Sequence, residues 1–331
     1  MAMVSLVAAL FACKGAPKTS AYAANPAVRW CSELPRAANK ALTPVDAGTD
    51  WYSVYQVESG VFAIVEAKQF QEAIAYLVVG TRRALLFDSG IGLVPIRPVV
   101  ERLTALPVSV LNSHTHFDHV GGNWEFSDVL GTDTPYTRAN EAGKAHAMLK
   151  GEADAESLCE PIPASVDTAG LRTRPWTVSR RVKAGDALDL GGRTVEILAA
   201  PGHTPDAIAL LDREHQLLFT GDSFYESTIW LFAPETDLDA YEQSLARMIA
   251  VTPPVTRLLP AHNTASVDPK RLAVVAQAVR TMRGGGGTRA PQGEGRLLVT
   301  VGDVTIMTSQ ALLDGKRGAD TVGGTGLTSK P

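Results

Sequence analysis

The chain has 331 residues, of which 45% are hydrophobic, and its formal net charge is -4 at pH 7. A chain of this length and apolar content can bury a large core in one big domain or two modest ones, so disorder along most of it is excluded. Charges of both signs are spread along the chain and leave no basic footprint, so no nucleic-acid partner is expected. An anionic substrate stays compatible, because bound divalent cations would reverse the local field.

The N-terminal segment 1–24 resembles an export signal, with an apolar run Val4–Cys13 and small residues around Ala21–Ala24. We therefore expect an exported, periplasmic protein. Two alternatives stay open. No Lys or Arg precedes the apolar run, so the segment could be a buried helix of a cytoplasmic protein, and Leu10–Cys13 is similar to a lipoprotein cleavage box. Neither this run nor any later one has the length of a membrane-spanning helix, so no transmembrane span is predicted.

Removal of such a signal would leave two cysteines, Cys31 and Cys159. In an oxidising compartment they could form a disulfide, and two free thiols are the equal alternative. Neither residue lies in a Cys-x-x-Cys motif or near a candidate base. A catalytic cysteine is therefore not predicted.

A Pro- and Ala-rich lead segment, 25–50, precedes an alternation of β-rich runs and turn signals. The first half predicts strands and one helix in the order Tyr52–Val57, Val61–Glu66, Ala75–Val79, Ala84–Phe87, helix Pro95–Leu106 and strand Ser109–Leu111. The second half repeats this order with Thr194–Leu198, Ala207–Leu211, Gln216–Phe219, helix Leu238–Val251, strand Arg257–Leu259 and helix Pro269–Met282. Two similar halves predict an α/β fold over 51–310, a four-layer αββα sandwich of two mixed sheets flanked by helices.

Three segments lie outside this repeat. The polar segment 124–182 contains prolines and a helical pattern around Asn140–Lys150, and it predicts a cap-like insertion that selects the substrate. The glycines Gly284–Gly287 and the following Pro291-Gln292-Gly293 predict a flexible surface connection, followed by a hairpin over Arg296–Thr308. The Gly- and Thr-rich tail, 315–331, is predicted to be disordered.

The string His114-Thr115-His116-Phe117-Asp118-His119 follows directly after an apolar strand and contains four potential metal ligands. In a turning segment, His114 and His116 project to one side and can bind one ion, while Asp118 and His119 turn toward another. The alternative is a polar surface loop. Three of the seven histidines within six positions make that alternative poor.

Three further polar residues follow predicted strands. His203 lies in a Pro-Gly-His turn, Asp222 follows the run Leu217–Phe219, and His262 follows Pro260-Ala261. A tight turn at a strand end can hold a ligand in place, so we interpret all three as metal ligands. A loop residue is the alternative for His203, and a helix N-cap is the alternative for Asp222. No function is assigned to His146 or His215.

This ordered set of motifs, over about Tyr52–Met282, resembles the metallo-β-lactamase superfamily. The resemblance implies the αββα fold with a dinuclear zinc site between the sheets. Carried over residue by residue, it implies one ion on His114, His116 and His203. It implies a second ion on Asp118, His119 and His262. Asp222 would bridge the two ions.

The implied function is that of a metal-dependent hydrolase. Two zinc ions, or other divalent transition metals, would share one water, lower its pKa toward neutrality and provide a hydroxide that cleaves an ester or lactone bond of a small molecule. Asp118 would also orient this hydroxide. Metal binding requires neutral imidazoles, so we expect activity to fall below about pH 6.

Some features bear on the substrate. Asp222 stands where β-lactamases typically lack a bridging aspartate, and Tyr225, three residues beyond it, resembles a tyrosine of lactonases that stabilises an oxyanion. Packing against Phe224 is the equal alternative for Tyr225. An apolar substrate wall could come from Phe117, Trp124, Phe126, Trp230 and Phe232, although such aromatics are more often core. An anion could be attracted by Arg172, Arg174, Arg180, Arg181 and Lys183, although a solvated face is the simpler interpretation.

The superfamily includes lactonases, thioesterases, β-lactamases, phosphodiesterases, sulfatases and redox proteins, so the fold does not choose the reaction. Hydrolysis of a lactone or other ester is our first hypothesis. A β-lactamase-like or phosphodiester hydrolase with the same metal site is the alternative. A non-catalytic metal-binding or redox module is less favoured, since the chain has no room for a flavin or rubredoxin domain. The sequence leaves the native substrate and the oligomeric state open.

Overall fold

A computed structural model of the chain describes residues 26–145 and 149–316. The predicted export signal, His146 and nearly all of the predicted tail lie outside these residues. Within them, no helix combines the length and the apolar composition that crossing a membrane needs.

The first sheet contains eight strands, and their order in space is their order in the chain. Strands β1 to β5 pair antiparallel, whereas β5 to β8 pair parallel. The strands are β1 (Thr43–Val45), β2 (Ser53–Glu58), β3 (Val61–Val65), β4 (Ile74–Val79), β5 (Ala84–Phe87), β6 (Val108–Leu111), β7 (Val129–Thr132) and β8 (Arg180–Val182).

The second sheet contains five strands in the spatial order β14-β12-β11-β10-β9. Its strands β9 to β12 pair antiparallel, and β14 joins β12 in parallel. The strands are β9 (Ala187–Asp189), β10 (Thr194–Ala199), β11 (Ile208–Asp212), β12 (Leu217–Gly221) and β14 (Arg257–Pro260).

A third, four-stranded sheet has the order β13-β17-β16-β15. The sequence predicts its central hairpin, and the structure confirms it as β16 and β17. The connection that we predicted to be flexible contains β15, which is wholly exposed but pairs with β16 over four residues. That part of the prediction is wrong, because the glycines only form the turn that leads into β15, a regular edge strand of the third sheet. The strands are β13 (Ile229–Trp230), β15 (Thr288–Pro291), β16 (Arg296–Val301) and β17 (Val304–Ser309).

The helices of the described residues are short except for two. Asp237 caps the longer helix, α5, by accepting hydrogen bonds from the amides of Asp239 and Ala240. The helices are α1 (Ala37–Lys40), α2 (Arg97–Leu103), α3 (Phe117–Val120), α4 (Pro135–Asn140), α5 (Leu238–Val251), α6 (Arg271–Arg283) and α7 (Gln310–Leu313), with 3-10 turns at Pro26–Glu33, Asn123–Glu125, Lys150–Ala153 and Ala155–Ser157.

The core lies in three layers that follow from alternation along the strands. In β4, Ile74 and Tyr76 pack into the layer between the first two sheets, whereas Leu77 faces the outer layer with α2. In β12, Phe219 faces the layer between the sheets, and Leu218 packs on the other side with α5, α6 and the third sheet. Both faces of each central strand are therefore buried. The predicted αββα sandwich is confirmed, with the third sheet as an addition to it.

The segment 124–182, predicted as one insertion, differs from that prediction at both ends. Strands β7 and β8 belong to the first sheet, so the part that leaves the sheets is 133–179, which we call the excursion. Its helix α4 ends at Asn140. The helical pattern predicted around Asn140–Lys150 includes residues 146–148, which lie outside the described residues. Thr134 fixes the start of α4, because its hydroxyl accepts a hydrogen bond from the amide of Thr137.

A disulfide joins Cys31 to Cys159, with a Cα–Cα distance of 5.6 Å. It connects the lead segment to the excursion across 128 positions of sequence. Of the two alternatives that the sequence left open, the structure therefore has the paired one.

Candidate metal centre

Four of the seven ligands predicted from the sequence lie just beyond the carboxyl end of a strand. His114 follows β6, His203 follows β10, Asp222 follows β12 and His262 follows β14. The short helix α3 begins after His116 and turns Asp118 and His119 back toward the same place. Parallel pairing of β12 with β14 brings two of these ends side by side. The fold thus collects side chains from positions 114 to 262 at one end of the two sheets.

The side chains form three overlapping groups in which all ligand atoms lie within 4.8 Å of one another. The first group is His114, His116 and His203. In it, Nε2 of His203 lies 3.1 Å from Nδ1 of His116. The second group is Asp118, His119 and His262, and the third is His114, His119 and Asp222.

Asp222 lies between the first two groups. Its Oδ2 is 3.5 Å from Nε2 of His203, and its Oδ1 is 3.1 Å from Nε2 of His262 and 3.4 Å from Nε2 of His119. One carboxylate therefore presents an oxygen to each side, as a bridging ligand must. Its predicted alternative as an N-cap finds no support, because no helix begins there.

Each histidine also has a fixed partner on the nitrogen that faces away from the groups. Nδ1 of His203 lies 2.9 Å from the carbonyl oxygen of Trp230, and Nδ1 of His262 lies 2.8 Å from that of Gln71. Such partners fix the ring orientation and leave the other nitrogen free to coordinate.

The remaining rings follow the same pattern. Nδ1 of His114 is 3.1 Å from the Ser113 hydroxyl, and Nδ1 of His119 is 3.0 Å from Oδ2 of Asp88. For His116 it is Nε2 that faces outward, 2.9 Å from Oε1 of Glu235. The inward atoms Nε2 of His114 and Nε2 of His119 are buried and have no hydrogen-bond partner among the described residues. Buried nitrogens without partners are costly, so this donor set fits a bound transition-metal ion.

Electrostatics divides the site into two halves. Burial and the neighbouring histidines hold the pKa of His114 well below its usual value, and burial lowers the pKa of His203 to about 4. These two rings are neutral at pH 7 and their lone pairs are available. Burial also opposes charge on His119 and His262, but the nearby carboxylates outweigh it and raise both pKa values. The carboxylate side of the site thus attracts positive charge, which divalent cations would supply.

Asp88 is a functional residue that sequence reasoning missed. Its Oδ1 accepts a hydrogen bond from the amide of Ser113, while Oδ2 holds His119. It follows strand β5 directly, in the left-handed backbone region with φ of 66°. This is the same strand-end position that identified Asp222 and His262, so the pattern of a polar residue after an apolar strand would have found it.

Tyr225 is buried beside His262, with 5.2 Å between the ring centroids. Its hydroxyl oxygen accepts a hydrogen bond from the amide of Trp230, the residue whose carbonyl orients His203. This contact gives Tyr225 a supporting role that the sequence did not predict. Its predicted role toward an oxyanion stays a prediction.

The aromatic and basic side chains that could have faced a substrate mostly contact other residues of the protein. Trp230 packs against Phe232, Phe117 and Phe126 pack on the outer core of the first sheet, and Trp124 is exposed. Among the basic residues, Arg174 stacks on Trp124 at 3.9 Å and Arg181 pairs with Glu141. His215, to which we assign no function, contacts Asp212.

Sequence comparison agrees with this geometry. A family model described as the metallo-beta-lactamase superfamily matches residues 73–262, more than half of the chain. The chain belongs to this superfamily. Its candidate ligands from His114 to His262 all lie within the matched region. The chain is a hydrolase of this superfamily, and its His and Asp clusters are suited to binding metal.

Two curated relatives illustrate the similarity within the superfamily. The chain is 29% identical over 239 residues to the acyl-coenzyme A thioesterase MBLAC2 of Gallus gallus and 26% identical over 242 residues to that of Homo sapiens. Both alignments cover 64% of this chain and 81% of the relative.

Solved structures show the same fold. A metallo-beta-lactamase from Pontibacter korlensis superposes with a TM-score of 0.51 at 17% identity, covering 69% of this chain and 99% of that one. The sec-alkylsulfatase Pisa1 from Pseudomonas sp. gives a TM-score of 0.55 at 15% identity, and the match covers 70% of this chain and 42% of the sulfatase chain. At these identities the likeness concerns the fold alone.

Proposed function

We propose that the chain is a dinuclear zinc hydrolase that cleaves an acyl ester bond of a small molecule, with the thioester of an acyl-coenzyme A as the leading substrate. The proposal of a metal centre rests on the convergence of His114, His119 and Asp222, whose inward atoms face one another in a buried site. The thioester is supported by the thioesterase relatives, which match over 64% of this chain.

The first ion would be held by His114, His116 and His203, the second by Asp118, His119 and His262, and Asp222 would serve both. When bound, such ions supply Lewis acidity that polarises a scissile carbonyl and lowers the pKa of water. The chain's own residues then have defined tasks. The Asp118 carboxylate accepts a hydrogen bond from the attacking water and orients it. Glu235, Asp88 and the backbone carbonyls keep the histidines in place.

The lactone predicted from the sequence and the thioester share this chemistry, since both present an acyl carbonyl with an oxygen or sulfur leaving group. The Tyr225 hydroxyl accepts a hydrogen bond from the Trp230 amide and keeps its own proton to donate, so this contact does not choose between the two substrates. The thioester comes first because the thioesterase relatives support it, and the lactone is kept as a comparison.

The test is to purify the mature chain, measure its metal content and assay acyl-coenzyme A, lactone, β-lactam and bis-phosphodiester substrates in parallel. We expect about two zinc ions per chain and fastest turnover of a thioester, released thiol being the readout. The variant His116→Ala should lose metal and activity together. Turnover of the phosphodiester alone, or full thioesterase activity without metal, would overturn the proposal.

We also propose that the protein is exported. The support is the Cys31–Cys159 disulfide, since such bonds persist in oxidising compartments and are rare in a reducing cytosol. Fractionation of cells that produce the full chain tests this: activity in the periplasmic fraction is expected, and activity confined to the cytosol contradicts it.

A further inference from the structure

His116 differs from the other candidate ligands in what holds it. Asp88 and the carbonyl-bearing residues that orient the other rings lie close to the sheets, whereas His116 is held by Glu235 on the loop between β13 and α5. Both side chains of this pair are partly exposed, with relative accessibilities of 23% and 20%. The orientation of His116 therefore depends on how firmly the loop itself is fixed.

The loop is fixed on its carboxyl side by the two residues that follow Glu235. After Glu235, the Thr236 hydroxyl donates to the carbonyl of His203 at 3.3 Å, and the Asp237 amide donates to the carbonyl of Gly202 at 2.8 Å. Asp237 is also the N-cap of α5. One short stretch, Glu235–Asp237, thus contacts two of the three residues of the first group and is anchored to a helix of the core.

The loop is fixed from its other side by the excursion. The hydroxyl of Tyr136, in α4, donates to Oε1 of Glu235 at 2.7 Å. This is the same oxygen that faces Nε2 of His116. Tyr136 also packs edge-on to the His116 ring, with 6.3 Å between centroids. A carboxylate held by a second donor presents its oxygen at one angle, and the imidazole that it faces is held in turn.

We propose that Glu235 is a positioning residue for His116, and that Tyr136 fixes Glu235 so that the excursion sets the geometry of the first metal group. The inference rests on the metal centre proposed above. It assigns a task to two residues that are not ligands, and it connects the excursion to the metal site.

The test uses the full chain with zinc and cobalt(II) as probes. The variants are Glu235→Ala, Glu235→Gln and Tyr136→Phe, and the matched control is Glu226→Gln, whose carboxylate pairs with Arg271 and belongs to none of the metal groups. Zinc affinity is measured by competition with a chelator, the cobalt absorption spectrum reports ligand geometry, and thermal unfolding of the metal-free forms reports the fold.

We expect Glu235→Ala to weaken the affinity of one zinc ion by roughly 10- to 100-fold and to change the cobalt spectrum. Glu235→Gln should restore part of the affinity, because its amide oxygen can still face His116. Tyr136→Phe should cause a smaller loss of the same kind, and Glu226→Gln none. The metal-free melting temperatures should stay near that of the wild type.

Zinc affinity within about twofold of the wild type in both Glu235→Ala and Tyr136→Phe would overturn the inference. If Glu235→Ala fails to fold, Tyr136→Phe alone decides: a zinc affinity within about twofold of the wild type overturns the inference, and a larger loss supports it. A wild type that binds two zinc ions but hydrolyses no acyl substrate refutes the proposed function alone, since the affinities still test the positioning. A wild type that binds no zinc overturns both.

Discussion

Asp222 is the residue on which the two halves of the centre depend, because its oxygens face His203 on one side and His119 and His262 on the other. Asp222→Asn replaces one oxygen with an amide group that cannot coordinate and removes the negative charge. We expect the loss of at least one zinc ion per chain and a fall in kcat/KM of at least about a hundredfold. Metal analysis and steady-state kinetics measure both. Asp189→Asn, at an exposed aspartate paired with Arg82, is the control and should retain metal; equal zinc content in the two variants would contradict the bridging role.

The buried carboxyl group of Glu66 should make the stability of the protein depend on pH. Burial raises the pKa of Glu66 from 4.5 to about 8, although Tyr52 and the Ile91 amide contact its carboxylate. The folded state therefore keeps a proton that the unfolded chain releases above pH 4.5. Because the unfolded chain binds fewer protons in this window, the free energy of unfolding should decrease as pH rises from about 4.5 to about 8.

The variant Glu66→Gln should remove this part of the pH dependence, since its neutral amide can donate to the Tyr52 oxygen and accept from Ile91. Urea unfolding at pH 5 and pH 8.5 is the measurement. We expect the stability difference between the two pH values to be smaller in Glu66→Gln than in the wild type. Glu101→Gln, at an exposed glutamate of α2, should behave like the wild type. An unchanged difference in Glu66→Gln would show that the carboxyl is already ionised at pH 5.

Residues such as His114 and Asp222 could be predicted from the sequence because coordination restricts the residue type and a strand end restricts the place. Glu235 could not, since it lies in an irregular loop and its neighbour Tyr136 is far away in the chain. Nothing in the local pattern of either residue distinguishes it from an ordinary surface residue. Only the fold shows that they meet.

At the scale of elements, the turn Pro201-Gly202-His203 joins β10 to the first metal group and lies against α5. Gly202 has φ of 135°, and a Cβ there would lie 2.2 Å from the backbone nitrogen of Tyr241. Gly202→Ala must therefore displace the turn or the helix. We expect a loss of more than about 2 kcal/mol in the free energy of unfolding, together with weaker zinc binding, because His203 moves with the turn.

The matched control for this turn is Gly185→Ala. Gly185 also has a positive φ, of 90°, but a Cβ there meets nothing within 4 Å. Because of backbone strain, Gly185→Ala should lower the free energy of unfolding by only about 1–2 kcal/mol, and its zinc affinity should be unchanged. Chemical unfolding and chelator competition distinguish the two variants. Equal losses in both would mean that strain, and not the contact with α5, governs the turn.

Long periodic elements could be predicted closely, and so could short apolar strands such as β5 (Ala84–Phe87), but β7 and β8 could not. Helix α5 occupies Leu238–Val251 as predicted, because its apolar positions recur at helical spacing and Asp237 caps it. Strands β7 and β8 were missed, since their sequences VLGT and RRV lack the continuous apolar run that identifies β5. They become strands because β6 offers an edge to which β7 can pair.

At the scale of the whole molecule, the order of the layers follows from the sequence. Two stretches with the same order of strands and helices must each bury both faces of their strands. The third sheet does not follow, since its strand β13 has two residues and pairs with β17 from far along the chain. Its Ile306 packs in the same layer as α5 and α6, so it completes a core that the first two sheets leave open.

The Cys31–Cys159 disulfide acts on the whole molecule because it closes a loop of 128 positions around the first sheet. Beside it, the Cys159 amide donates to the carbonyl of Lys68 and the Phe70 amide donates to that of Ser157, which fixes the stretch that leads to Gln71 and His262. In the double variant Cys31→Ser/Cys159→Ser, the unfolded chain regains this loop entropy. The free energy of unfolding should fall by up to about 4–5 kcal/mol.

Urea unfolding with and without reductant measures this effect. Reductant should destabilise the wild type to the level of the double variant and leave the double variant unchanged, and the hydrogen bonds around Phe70 should keep zinc affinity within a few fold of the wild type. Because only an oxidising compartment retains the bond, the wild type would then reach its full stability after export. A wild type as stable in reductant as without it would mean that the core alone holds the excursion, and the disulfide would no longer support export.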